Sequence, residues 1–185
     1  MMKSFSFSVV VITSLLVVSQ SSDGHARFKL NAAFQARSTD TGLKEAPCGG
    51  VDVGQKRTIL RTGETVTVEW EETINHPGFY RIAFSPDGVT GFDDNILADN
   101  IIDNQDMAIV GMNYHSFSTT IVVPEPCETC ALQMIQYMTE DPENPRLYYS
   151  CADIQIKAAD DPSLVLPPPP VLEEIKFTTK DNERD

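Results

Sequence analysis

Along residues 65–70 the side chains alternate: Thr65, Thr67 and Glu69 are polar, while Val66, Val68 and Trp70 are apolar. A repeat of two marks a strand with one wet and one dry face, because successive side chains leave a pleated backbone on opposite sides. Trp70, in phase with the valines, is expected to be buried. The stretches 78–85 (GFYRIAFS), 115–124 (HSFSTTIVVP), 130–138 (CALQMIQYM) and 147–156 (LYYSCADIQI) are similarly rich in β-branched and aromatic residues. Clusters at 85–95 (SPDGVTGFDDN) and 139–145 (TEDPENP) supply the turns between them. Residues 94–106 fit a short helix or an irregular loop, and the pattern leaves both open. Many short strands with turn signals, and no internal repeat, predict an all-β antiparallel sandwich.

The two ends depart from this pattern. Lys3 is followed by an apolar run from Phe5 to Val18 and then by small and polar residues up to Gly24. That layout predicts a secretory signal peptide over 1–24, and it falls short of the roughly 20 residues a membrane-spanning helix needs. Cutting before His25 puts Ser22 and Gly24 at the −3 and −1 positions. Cutting after Ala26 puts Gly24 and Ala26 there, and residue size does not separate the two. The folded domain is assigned to 25–158. From 159 to 185 a proline run and then charges offer little to bury, which predicts a disordered or extended tail.

Charge and cysteine then narrow the function. The chain carries a formal net charge of −13, with no basic run to neutralise phosphates. That argues against nucleic acid and against anionic membrane surfaces. Four cysteines in an exported chain read as two disulfides. A zinc site would want paired Cys motifs, and only Cys127 and Cys130 form a close pair. If 130–138 and 147–156 make a hairpin through 139–145, Cys130 and Cys151 fall nearly opposite each other. Cys48 would then join Cys127. A Cys127–Cys130 bridge is the alternative, and its small loop would constrain little.

Three histidines are present: His25, His76 and His115. A histidine at a new N-terminus offers its amine and its ring Nδ1 to one cation as a chelate, and a second imidazole completes three nitrogens. Such a donor set suits Cu(II). His76, in the sequence NHPGFYRI, stands where Pro77 and Gly78 fix a turn into a strand, a position that suits a turn histidine as well as a ligand. His115 in NYHSFST is read as a strand-start residue. Glu71 with Glu72, and Asp93 with Asp94, are consecutive, so they point to opposite faces or to solvent. They do not resemble the facing acid–base pair of a glycosidase.

Taken in order, HARFKL (25–30), KEAPCGG (44–50), WEETINHPGFYRIAF (70–84), PCETCALQMIQYM (126–138) and YYSCADI (148–154) resemble the secreted lytic polysaccharide monooxygenases and their relatives, which are related to chitin-binding type-4 domains. The resemblance spans nearly all of 25–156. It implies an immunoglobulin-like (fibronectin-III-like) β-sandwich with long loops and one copper ion in a histidine brace. His25 would give its amine and Nδ1, His76 its Nε2, and Tyr148 the axial aromatic, with Tyr149 turned to the other sheet face. It also implies a monomer taking electrons from an external donor and oxidising the carbon beside a glycosidic bond in chitin or cellulose, outside the cell or in a periplasm. The family's polar Glu or Gln near the copper has several candidates here. No array of surface aromatics is evident near His76. Two other functions share these residues: a secreted copper carrier with the same brace and no oxidation, and a non-catalytic binding sandwich from which His25 is trimmed.

Overall fold

The computed structural model describes residues 25–30, 33–105 and 109–164. The expected signal peptide, and the tail from 165 onward, lie outside the described residues. Eight strands form two sheets: β1 (Ala26–Phe28), β2 (Thr58–Arg61), β3 (Thr65–Glu72), β4 (Gly78–Ser85), β5 (Ile96–Ile102), β6 (His115–Val122), β7 (Cys127–Met138) and β8 (Arg146–Lys157). One sheet runs β1-β3-β6 and the other β2-β8-β7-β4-β5. Packed face to face, they make the all-β sandwich expected from the strand pattern, in the immunoglobulin-like form that the resemblance implies.

The core lies between the sheets, where the period-two pattern directs it. Val68 and Trp70 of β3 meet Tyr80 and Ile82 of β4, Leu132 and Met134 of β7, and Ile154 and Ile156 of β8, all buried. Trp70 is fully buried, in phase with Val68. On the far side of the five-stranded sheet a second, smaller cluster joins Cys48, Ala83, Phe92, Ala131 and Cys151. Residues alternate along β7 and β8 between these two clusters, so neighbours in sequence serve different faces.

Three features differ from the sequence reading. Residues 96–102 are a strand, β5, at the sheet edge against β4. A register shift between Tyr80 and Ile82, and Asn100 at φ 52°, interrupt its alternation. Such a bulge erases the period-two signal by which strands are recognised. One strand pair, β2 with β8, is parallel and not antiparallel. The segment after residue 158 also begins with an ordered 3-10 turn, Pro162–Leu164, whose Leu164 carbonyl accepts a hydrogen bond from Arg61 Nη2 at 2.9 Å.

The cysteine pairing also needs correction. The disulfides are Cys48–Cys151 and Cys127–Cys130, not Cys130–Cys151 and Cys48–Cys127. The hairpin between β7 and β8 exists, but Cys130 lies opposite Ile154 and Cys151 opposite Gln133. An offset of three residues is odd, so Cys130 faces the main core while Cys151 faces the outer cluster. Side chains on opposite faces of a sheet cannot bridge.

These bridges differ in what they restrain, because one spans 103 residues and the other 3. Non-reducing peptide maps should show the 48–151 linkage. Replacing Cys48 and Cys151 by Ser should cost about 2–5 kcal/mol in urea unfolding. The same change at Cys127 and Cys130 should cost much less, and equal losses would contradict the loop-closure account.

Candidate metal centre

The site is built where β3 ends. The antiparallel pairing of β1 with β3 sets Ala26 opposite Glu72, so His25 stands just past the strand end, and its carbonyl accepts a hydrogen bond from the Thr73 N–H at 2.7 Å. The chain then turns through 73–77 into β4. The His76 N–H donates to Glu72 Oε1 at 3.2 Å, and the Pro77 carbonyl accepts from the Thr139 N–H at 2.9 Å. Gly78 makes this turn possible. A Cβ there would run into the Tyr137 carbonyl oxygen of β7. From the other side β8 brings Tyr148, opposite Gln136 in the register.

These three residues, far apart in sequence, form a stack of rings. The His25 and His76 ring centroids are 4.9 Å apart with 9° between planes. Tyr148 lies on His25 at 3.5 Å and 13°, and Lys44 Nζ sits 5.2 Å from the Tyr148 ring centroid. Tyr148 is 1 % exposed and His25 7 %.

His76 has a defined polarity. Its Nδ1 meets the Glu140 carboxylate, and since a carboxylate accepts, Nδ1 donates and Nε2 is the nitrogen turned away from it. That atom is buried and has no hydrogen-bond partner among the described residues. A histidine whose far nitrogen is held by a carboxylate is the usual form of a metal-ligating imidazole. The donor set therefore fits a cation that takes nitrogen ligands. No cluster of three or more His, Cys, Asp or Glu side chains able to hold a metal occurs among the described residues. A site made of two imidazoles and a terminal amine would not form such a cluster.

No family model matches this sequence, and neither does any curated protein sequence. Solved structures do resemble it. One is the lytic polysaccharide monooxygenase AA15 from Thermobia domestica in the Cu(I) state, at 19% identity and TM-score 0.45, covering 64% of this chain and 78% of that one. Another is a lytic polysaccharide monooxygenase important for chitin utilization in Cellvibrio japonicus, at 15% identity and TM-score 0.42, covering 63% of each chain. T. fusca AA10A matches at 17% identity and TM-score 0.41, covering 72% of this chain and 74% of that one. In fold the chain is similar to lytic polysaccharide monooxygenases. At these identities and TM-scores the likeness assigns neither a metal nor an activity.

Behind the rings lies a polar cluster that the sequence did not single out. Glu72 is fully buried. Its Oε1 also accepts from Gln136 Nε2 at 2.8 Å, and its Oε2 lies 3.2 Å from His115 Nδ1. Burial, then the charge of Asp103, push its carboxyl up to about 8, against the lowering effect of the His76 N–H and the Gln136 amide. Asp103 Oδ2, beside it, is buried with no hydrogen-bond partner among the described residues. Glu71 points the other way, to Arg27 at 2.7 Å. Of the two alternatives, opposite faces or solvent, the consecutive carboxylates take opposite faces, and both are buried. His115 does start β6, opposite Glu72, and its Nδ1 faces that carboxyl.

Glu140 and Gln136 were missed, and Glu72 was read only as half of a consecutive acid pair, because nothing local marks their part in the site. Glu140 is one acid in a turn rich in acids, and Gln136 is one polar residue inside an apolar strand. The Gly78 contact gives a direct test of how the His76 turn is held. Gly78→Ala should lower stability by at least about 1–3 kcal/mol, the cost of overpacking against an unyielding neighbour, and should shift the His76 ring resonances in NMR spectra. An unchanged melting temperature would show that the turn has room the structure denies it.

Proposed function

We propose that this is an exported copper protein in which processing before His25 frees an amine that binds one copper ion together with the His25 and His76 imidazoles. The observation that carries this reading is His76, with Nδ1 held by Glu140 and Nε2 buried, bare and next to the His25 ring. The small residues Ser22 and Gly24 support the processing point. Copper bound there supplies one-electron chemistry with dioxygen or peroxide, and the substrate class that fits the resemblance is chitin or cellulose. In this reading the chain's own residues orient and shield. Glu140 would keep His76 in the tautomer that exposes Nε2, Glu72 fixes the backbone N–H of His76, and Tyr148 covers the His25 ring and shields it from water.

A second function, copper capture or delivery without oxidation, has an observation in its favour. A flat polysaccharide is commonly met by aromatic side chains, and no aromatic is found among the exposed large hydrophobic side chains of the described residues. Reductant-driven release of oxidised oligosaccharides from chitin or cellulose separates the two. Product formation that depends on His76 supports the oxidase, and copper binding without product supports the carrier.

Metal binding itself is tested on the exported protein. Intact mass should place the N-terminus at His25, and a start at Arg27 would remove the brace. Calorimetry should find one tight Cu(II), with zinc weaker. His76→Ala should lose most of the affinity, Glu140→Ala about 10–100-fold, and His115→Ala little. Equal losses at His76 and His115 would overturn the assignment of the second ligand.

A further inference from the structure

The stretch PEPCETC, 124–130, places Cys127 and Cys130 at the start of β7. The register against β8 slips between them: Cys127 lies opposite Ile156 and Cys130 opposite Ile154, so three steps along β7 match two along β8. One residue is therefore bulged, as happens where a strand must bend. The Cys127–Cys130 disulfide joins the two ends of this bulge, with Cα atoms 5.9 Å apart.

Burial separates the four cysteines. Cys48, Cys130 and Cys151 are 3 %, 0 % and 2 % exposed. Cys127 is only half-buried, and Glu125, Pro126, Glu128 and Thr129 around it are exposed. Thiol–disulfide exchange requires an attacking thiolate to reach one sulfur of the bridge, so its rate follows access. Cys127 is the end that can be reached. Opening this bridge also leaves the fold standing, because closing a loop of separation 3 adds far less stability than closing one of 103. The core tolerates Cys130 as a thiol, since free cysteine behaves there as a small apolar residue. Its Sγ lies 3.4 Å from the Cys127 carbonyl oxygen, to which a thiol would donate. Glu128 keeps this end of β7 tied to Gln155 and Lys157 of β8.

We infer that Cys127 and Cys130 are a redox-active pair, in which a low-molecular-weight thiol adds at Cys127 and Cys130 is the resolving thiol. The thiolate sulfur bonds to Cys127 Sγ and the Cys127–Cys130 bond breaks. Its electron pair leaves on Cys130 Sγ, which takes up a proton. A second thiolate attacks the sulfur of the first, forming a small-molecule disulfide and releasing Cys127 as a thiol. Two thiols are thereby oxidised and one protein disulfide is reduced. In the reverse direction the Cys130 thiolate attacks Cys127 Sγ and expels the small thiol. Reduction unclasps the bulge while Cys48–Cys151 stays closed. The pair stands nine residues before Gln136 along β7, so it needs neither copper nor processing at His25.

The test incubates the exported protein, stripped of metal with EDTA, with reduced glutathione at mildly alkaline pH under argon. Samples are quenched with N-ethylmaleimide and mapped by peptide mass spectrometry. Cys127 and Cys130 should be labelled, with a glutathione adduct on Cys127, at least about tenfold faster than Cys48 and Cys151. Thermal melts should stay cooperative, and amide hydrogen exchange should quicken only within 127–130 and 154–157. In Cys130→Ser, oxidised glutathione should leave a lasting adduct on Cys127. In Cys127→Ser, the same reagent should modify Cys130 at least about tenfold more slowly. The rates in the unmutated protein decide the matter if either variant does not fold. The inference is overturned if Cys48–Cys151 opens as fast, if neither bridge opens without urea, or if the two variants react equally.

Discussion

The candidate centre depends on one buried carboxyl at the end of β3. Glu72 is the last residue of that strand, and it is the position opposite Ala26 in the β1 pairing. Its location therefore sets where His25 leaves the sheet. Its side chain takes the His76 N–H and the Gln136 amide on one oxygen and faces His115 with the other. Burying an acid is costly unless it is paired or kept protonated, and here burial and Asp103 push it towards the protonated form. The same group fixes the height of β1, the start of the 73–77 turn and the position of His115, so these parts are set together.

A second constraint acts through β8. Asp153, 2 % exposed, accepts from Arg37 at 2.7 Å and from the Gly54 N–H at 2.7 Å. Arg37 also donates to the Gly88 carbonyl. Together with the Cys48–Cys151 bridge, this ion pair fastens two connections, 29–57 and 86–95, to the outer face of β8. A buried pair with several hydrogen bonds around it holds a geometry that an apolar contact would leave loose. Tyr148 and Ser150, one residue away on either side of Tyr149, face inward. Ser150 Oγ accepts the Phe28 N–H at 3.1 Å and so ties β1 to the other sheet. One strand therefore anchors the outer loops and presents the ring that covers His25.

The centre and an outer cleft occupy opposite faces of this sheet, and each has the chemistry of its face. Inward, polar atoms are scarce and gather around Glu72, with His76 Nε2 among those left without a partner in the described residues. Outward, a small apolar cluster under the loops adjoins a cleft lined by Arg81, Gln133, Tyr137 and Tyr149. Sheets covered on both faces allow this, because alternation gives consecutive residues of one strand separate tasks.

What the sequence by itself determined was local. Alternation over 65–70 located β3 and the burial of Trp70, and the aromatic and β-branched runs located β4, β6, β7 and β8. The turn at Pro77–Gly78 is also written in adjacent residues, as is the phase that sends Tyr148 and Tyr149 to opposite faces. Register was beyond it. Whether Cys130 meets Cys151 turns on a three-residue offset across a seven-residue turn, and no local pattern encodes that number. The edge strand β5 lost its signal to a bulge, and the parallel pairing of β2 depends on a partner almost a hundred residues away. Glu140, Glu72 and Gln136 acquire meaning only by what they touch. A single carboxylate or amide looks the same in every turn and strand until packing decides which nitrogen it faces.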